Sequence, residues 1–63
     1  MLKIEFKTDG AAFCDPYTEE HNEYWEAVEI DRILANIALK IEEGQMFGKI
    51  LDINGNLVGE WSR

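Results

Sequence analysis

Residues Glu23 to Glu43, EYWEAVEIDRILANIALKIEE, decide the fold of this chain. No glycine or proline interrupts this run, and Gly44, which follows it, tolerates the positive φ that commonly ends a helix. Large apolar residues recur every three or four positions, which is the spacing of one helix face. They are Ile30, Ile33, Leu34, Ile37 and Ile41. The pattern predicts a single long helix that covers the core with this face.

A second apolar strip lies on the opposite side of the predicted helix. At 100° per residue, its members gather roughly opposite Ile30. They are Tyr24, Trp25, Val28, Ala35 and Leu39. A helix on a small sheet buries only one face within its own chain, and burying a Val or Leu side chain is worth about 1.5–3 kcal/mol. Single exposed apolar residues are normal, but this alignment predicts an oligomer interface or a protein partner.

The start of the helix is open from the sequence alone. Asp15 followed by Pro16 can begin a helical turn with Asp15 as its N-cap. Thr18 and Asn22 are also candidate N-caps. One helix from about residue 16 and a short turn followed by a helix from about residue 23 are therefore both possible.

Three strands are predicted around the helix. Polar and apolar residues alternate over residues 2–7, which is typical of a half-buried strand. Its core side is formed by Leu2, Ile4 and Phe6. Residues 46–52 and 56–61 predict a hairpin, and Phe13 is expected to close one end of the core. The expected fold is α+β with the order β-α-β-β: a three-stranded antiparallel sheet, strand order 1-3-2, with one long helix packed on one face.

Two turn types compete at the hairpin tip, Ile53-Asn54-Gly55. One is a two-residue turn of type I′, and the other is a three-residue type I turn with a bulge at a left-handed Gly55. The bulged turn lets Asp52 accept hydrogen bonds from the turn amides and sorts apolar residues onto matching positions. We therefore predict the bulged turn.

The bulged turn also predicts which hairpin residues face the helix. Its register pairs Leu51 with Leu57, Ile50 with Val58, and Phe47 with Trp61. Phe47, Leu51, Leu57 and Trp61 are then expected to face the helix, with Ile50 and Val58 on the opposite face.

The length of 63 residues predicts one domain over residues 1–63, close to the lower limit for folding alone. One cysteine, Cys14, excludes an internal disulfide, and one histidine, His21, makes a structural zinc site improbable. Oligomerisation is the stabiliser that remains. The sequence shows no bilayer-spanning stretch and no signal peptide, so a cytoplasmic location is expected.

The net charge of −7 is concentrated in one segment. Residues 9–31 contain eight acidic residues and no Lys or Arg. This excludes direct nucleic-acid binding, which needs a cationic face, and favours a protein partner with a cationic surface. The expected partner-binding acidic face consists of Asp15, Glu19, Glu20, Glu23, Glu26, Glu29 and Asp31.

No set of residues predicts catalysis, a metal site or a cofactor. The segment Asp52 to Asn56 alternates oxygen ligands, but an EF-hand would need Gly at position 57 and Glu at position 63. Carboxylates near His21 lack the spacing of a ligand set. Such a small fold is also expected to leave little room for a pocket of the usual ~300 Å³ or more. An enzyme using Cys14 and His21 is the least favoured class.

Parts of the sequence resemble a recurrent type of small protein encoded by bacteriophages and integrated mobile elements. The shared pieces are Ala11-Ala12-Phe13; Arg32-Ile33-Leu34, Ile37-Ala38 and Ile41-Glu42 running into Gly44; and Gly48, Asp52-Ile53-Asn54-Gly55-Asn56 and Val58-Gly59. The resemblance implies a phage or prophage accessory protein, in a setting where many proteins blunt host defences. The acidic segment at residues 15–26 is longer here than in that pattern.

Two functions follow as expectations. The first is a non-enzymatic, anti-CRISPR-like inhibitor whose acidic face occupies the nucleic-acid groove of a host defence protein, with carboxylates in place of phosphates. The alternative is a homo-oligomeric binding module, or a small-ligand sponge, assembled through the helix strip. In the first case the protein acts in the host cytoplasm.

Overall fold

A three-stranded antiparallel sheet and one long helix form the fold, in a computed structural model that describes residues 1–63. The strands are β1 (Lys3–Phe6), β2 (Phe47–Leu51) and β3 (Leu57–Ser62), and the helix α1 (Glu23–Glu42) lies between β1 and β2 in the chain. Because the sheet order is β1-β3-β2, β3 is the central strand. The predicted class, element order and strand order are confirmed.

Asn22 sets the beginning of α1. Its side-chain oxygen accepts a hydrogen bond from the backbone N–H of Tyr24 at 2.8 Å, and its φ of −142° is that of an N-cap residue. Asp15 and Thr18 lie in a separate turn, so the helix begins at neither of them. Of the two starts left open by the sequence, the helix from residue 23 is the correct one.

Gly44 ends the helix, as predicted. Its φ is +93°, and its N–H donates to the carbonyl of Ile41 at 2.9 Å. The N–H of Gln45 donates to the carbonyl of Lys40 at 3.0 Å. These two bonds form a Schellman motif, which satisfies the carbonyls left free at a helix end and requires a residue that tolerates the left-handed backbone.

The core lies between one face of α1 and the inner face of the sheet. Its fully buried apolar residues are Phe13, Ile33, Ile37, Ile50 and Trp61. Phe13 comes from a short 3₁₀ helix (Ala11–Phe13), and its burial confirms that it belongs to the core. Ile33 and Ile37 confirm the predicted helix face, with Ile30 and Ile41 packed at its edges.

Two residues that we expected in the core are exposed. Leu34 is 42% exposed and Leu2 is 53% exposed. Leu34 lies about 100° around the helix from the buried Ile33, beyond the half-buried Ile41 at the edge of this face. Leu2 precedes the first paired residue of β1, Lys3, so no strand partner holds it against the core.

The hairpin tip is the predicted three-residue bulged turn. Gly55 has a φ of +84°, and its N–H donates to the carbonyl of Asp52 at 3.0 Å, as in a type I turn. The Asp52 carboxylate accepts hydrogen bonds from the N–H groups of Asn54 at 3.0 Å and Asn56 at 2.9 Å. These contacts explain why a carboxylate is buried at this position.

The predicted register is wrong beyond the Leu51–Leu57 pair, which is confirmed. Ile50 lies opposite Gly59 because a bulge leaves Val58 without a partner on β2. A shift of one residue moves side chains to the other face of a strand. Trp61 faces the core as expected, but the positions of five neighbours are corrected. Ile50 is buried and Val58 packs against the core, whereas Phe47, which pairs with Ser62, is exposed together with Leu51 and Leu57.

Candidate protein-binding surface

The acidic segment begins in a closed loop immediately before α1. Cys14 and His21 form an antiparallel bridge, and the N–H of Asp15 donates to the carbonyl of Glu20 at 2.9 Å. The N–H of Glu19 donates to the carbonyl of Asp15 at 2.8 Å. These bonds give the stretch a defined shape, although it contains no helix or strand of its own.

Two acidic residues determine the shape of this loop. Asp15 Oδ1 accepts hydrogen bonds from the N–H groups of Tyr17 at 2.8 Å and Thr18 at 3.4 Å, so Asp15 stabilises a turn rather than capping the helix. Glu19 has a φ of +61°. This left-handed conformation costs roughly 1–2 kcal/mol for a residue with a Cβ. The loop therefore holds an exposed carboxylate at the expense of backbone strain.

Glu26 is hydrogen-bonded to the histidine of the loop. Its Oε2 lies 3.1 Å from Nε2 of His21. This hydrogen bond, and then the nearby side chain of Thr8, hold the pKa of the Glu26 carboxyl below its ordinary value of 4.5. Glu26 is therefore ionised at neutral pH and joins the loop to the first turn of α1.

The lowered pKa of Glu26 predicts a loss of stability in acid. The unfolded chain binds a proton at Glu26 more readily than the folded chain does, so this stabilisation is complete above about pH 4.5 and is lost as the pH falls below it. Urea unfolding at several pH values should show that the advantage of the wild type over Glu26→Gln shrinks from pH 6 to pH 3. An advantage that stays constant over this range would contradict the role of the ionised carboxylate.

Glu29 is not part of the exposed acidic face, contrary to the prediction. It is 4% exposed. Its carboxylate accepts hydrogen bonds from Nε of Arg32 at 2.6 Å, from Nη2 of Arg32 at 3.2 Å and from the N–H of Ile53 at 2.8 Å. A carboxylate is buried here because these donors compensate for its lost hydration.

Arg32 connects the same ion pair to the hairpin. Its Nη2 also donates to the carbonyl of Leu51 at 3.2 Å. The hydrogen bond to Glu29 raises the pKa of Arg32 further above its ordinary value, so the guanidinium stays charged. We did not predict this pair, although a separation of three residues on a helix is a signal for it.

Four of the seven residues assigned to the acidic face are exposed and take part in no ion pair. They are Glu19, Glu20, Glu23 and Asp31. The other three are a half-buried Asp15, a Glu26 bound to His21, and the internal Glu29. Glu23 and Asp31 project from α1 about 80° apart by helix geometry. The free negative charge of this segment therefore lies on the loop and the adjoining half of the helix.

The predicted helix strip is largely exposed. Its exposed members are Tyr24, Val28, Ala35 and Leu39. Trp25 is half-buried, and its ring meets that of Tyr24 edge-on, with 5.3 Å between centroids. The strip leaves an apolar surface uncovered in the single chain.

A groove of about 760 Å³ lies between the acidic loop, α1 and the hairpin tip. This volume exceeds what we expected of so small a fold. Apolar side chains, including those of Trp25, Val28 and Ile53, line one part of it. The charged residues that line it are Asp15, Glu19, Glu29 and Arg32. This groove could not be inferred from sequence patterns, because its three sides come from distant segments.

The side chains of Cys14 and His21 make separate contacts, His21 with Glu26 and Cys14 with the backbone. The half-buried thiol of Cys14 lies 3.4 Å from the carbonyl oxygen of Gly10. No three His, Cys, Asp or Glu side chains are grouped so as to hold a metal ion. None of the helices combines the length and the apolar character needed to cross a membrane.

The surface thus offers three features for binding: exposed carboxylates, the apolar helix strip, and the groove beside the acidic loop. Apart from Ala12, which lines the groove and also packs against the core, they are formed by residues outside the core. No protein-family model matches the chain, and no curated protein or solved structure is significantly similar to it.

Proposed function

We propose that this chain is a non-enzymatic inhibitor that binds the cationic nucleic-acid-binding surface of a host protein. The separation of charge carries this proposal. Residues 9–31 contain eight acidic residues and no Lys or Arg, whereas the rest of the chain contains five acidic and all six basic residues. A concentrated negative field attracts cationic surfaces and accelerates association with them.

The exposed carboxylates supply the groups that take the place of phosphates. No cation of this chain is paired with the carboxylates of Glu19, Glu20, Glu23 and Asp31. Lys and Arg side chains of a partner can therefore pair with these carboxylates directly. The resemblance to phage-encoded proteins suggests a defence protein, such as a CRISPR effector or a restriction enzyme, as the target in the host cytoplasm. The same charge disfavours binding of nucleic acid by the chain itself.

Capture of partners from bacterial lysate at low and high salt tests this function. Exposed charge pairs are screened by salt, so we expect a nucleic-acid-binding protein to be retained at 50 mM salt and released at 500 mM. Added DNA should compete for the captured protein. Capture that is insensitive to salt and DNA, or no capture at all, would contradict the proposal.

A homodimer formed through the helix strip is a second candidate, and the exposed surface favours it. The chain exposes 4777 Å², whereas a folded monomer of 7.3 kDa is expected to expose about 4,200 Å². The excess approaches the ~800 Å² that each partner buries in a typical interface. Such a dimer would bring two acidic segments into one assembly.

Sedimentation of two matched variants checks the dimer. Leu39 on the helix strip is 58% exposed, and Leu57 on the outer face of the sheet is 62% exposed. We expect Leu39→Glu to raise the dissociation constant of the dimer at least about tenfold, because the dimer interface would then bury a charged carboxylate away from water. Leu57→Glu should leave the dissociation constant of the dimer within about twofold of the wild-type value. A monomeric wild type at 100 µM, or equal effects of the two substitutions, would exclude the helix interface.

A further inference from the structure

We propose that the groove beside the acidic loop binds an arginine side chain of the partner protein. This inference rests on the proposed function and names the contact through which the partner is held. The groove volume of about 760 Å³ is more than one side chain needs, so an arginine can enter together with its neighbouring backbone.

The charge of the groove selects a cation. Glu29 and Arg32 neutralise each other through two hydrogen bonds. The remaining charged lining residues, Asp15 and Glu19, are both negative. Only Oδ1 of Asp15 is occupied, by the turn amides, and Glu19 takes part in no ion pair. Two carboxylates are therefore available to a guanidinium.

The apolar lining distinguishes arginine from a fully hydrated cation. Trp25, Val28 and Ile53 line the groove, and both Val28 and Ile53 are substantially exposed in the single chain. A guanidinium is weakly hydrated and stacks on aromatic rings, whereas the ammonium of lysine holds its water more strongly. Tryptophan and arginine are also the residues most enriched where binding energy is concentrated.

The backbone that carries the two carboxylates is ordered before binding. The hydrogen bonds of the loop, Asp15 N–H to Glu20 carbonyl and Glu19 N–H to Asp15 carbonyl, hold the backbone that carries both groups. The left-handed backbone of Glu19 is maintained by the same bonds. Because this side of the groove is already ordered, less conformational entropy is lost when an arginine enters.

Titration with short peptides tests the groove directly. The probes are the capped tripeptides Gly-Arg-Gly, Gly-Lys-Gly and Gly-Leu-Gly, and the readout is the indole N–H signal of Trp25 in a two-dimensional NMR spectrum. Trp61, which is 2% exposed, provides an internal reference. We expect saturable shifts of Trp25 with the arginine peptide, with a dissociation constant on the order of 1 mM. The lysine peptide should bind several-fold more weakly and the leucine peptide should not bind.

Two variants connect the signal to the groove. Glu19→Gln, at an exposed position, should weaken binding of the arginine peptide at least about threefold, and the control Glu43→Gln at the far end of α1 should not change it. An equal response to the leucine peptide, no saturable shift of Trp25, or Trp25 shifts that depend on protein concentration alone would overturn the proposal. If none of the peptides binds but DNA still competes for a captured protein, only the assignment of the groove is contradicted. If the arginine peptide binds but DNA does not compete for any captured protein, only the proposed function is contradicted.

Discussion

Gly59→Ala is expected to unfold the protein or to lower its free energy of unfolding by at least about 3 kcal/mol. A Cβ on Gly59 would lie 2.5 Å from Cα of Phe6 and 2.6 Å from its Cβ. These atoms belong to β1, which pairs with β3 alone. The clash can be relieved only by separating the two strands, and Ile4 and Phe6 then leave the core. A chain of 63 residues has a total stability of only about 3–9 kcal/mol.

Gly10→Ala provides the matched control. No atom lies within 4 Å of a Cβ at Gly10, and its φ of −82° is accessible to alanine. We expect a change within about 1 kcal/mol, with stabilisation favoured because alanine restricts the unfolded chain. Urea unfolding followed by tryptophan fluorescence, to which the buried Trp61 contributes, measures both variants. Equal stability of Gly59→Ala and Gly10→Ala would show that β1 does not lie as close to β3 as described.

Glu29→Ala is expected to destabilise the fold by about 2–3 kcal/mol. Removing one partner of a fully buried ion pair costs about 3–5 kcal/mol, but the Arg32 side chain is 36% exposed, so water can hydrate it after the loss. The N–H of Ile53 also loses its acceptor. The substitution therefore removes one of the two hydrogen bonds that hold the hairpin against α1, the other being the hydrogen bond from Arg32 to Leu51.

Two comparisons separate the charge from the packing of Glu29. Glu29→Gln retains an acceptor for Ile53 but removes the charge that Arg32 pairs with, so it should cost about half as much as Glu29→Ala. Glu42→Ala, at an exposed helix position, should change the stability by less than about 0.5 kcal/mol. Chemical denaturation of the three variants measures these costs. A Glu29→Ala variant as stable as Glu42→Ala would show that the contacts of Glu29 do not stabilise the fold.

The local features of the fold could be predicted from the sequence. The spacing of the isoleucines and Gly44 identified the helix, and Asp52 with Gly55 identified the turn, because each signal acts within a few residues. The register of β2 against β3 could not be obtained in this way. It depends on the bulge at Val58 and on Trp61 lying beside Gly48, where a Cβ would be 2.7 Å from the indole nitrogen. These are contacts between distant segments.

The candidate site was only partly predictable for the same reason. An acidic residue among seven others is typical of a hydrated surface, and the local signal at Glu29, Arg32 three residues later, indicates an ion pair but not its burial. Only the position of Ile53, 24 residues away, shows that Glu29 is internal. Exposure of Val28 and Leu39 followed directly from helix periodicity, because a single sheet covers a single face of the helix.

The residues that carry the resemblance to phage-encoded proteins have structural roles in this chain. Gly44 ends the helix, Asp52 and Gly55 form the turn, Gly59 admits β1, and Arg32 joins the helix to the hairpin. The exposed acidic residues of the proposed function, Glu19, Glu20 and Glu23, lie outside the resembling pieces.

Displacement of labelled DNA from the captured partner tests the role of the acidic segment most directly. The comparison uses two triple variants that both change the net charge from −7 to about −4. One carries Glu19→Gln, Glu20→Gln and Glu23→Gln, and the other carries Glu42→Gln, Glu43→Gln and Glu60→Gln. We predict that the first triple variant displaces half of the DNA only at a concentration at least about tenfold higher than the wild type needs. The concentration needed of the second triple variant should stay within about twofold of the wild-type value. Equal effects of the two variants would contradict the account, because net charge rather than the acidic segment would then determine binding.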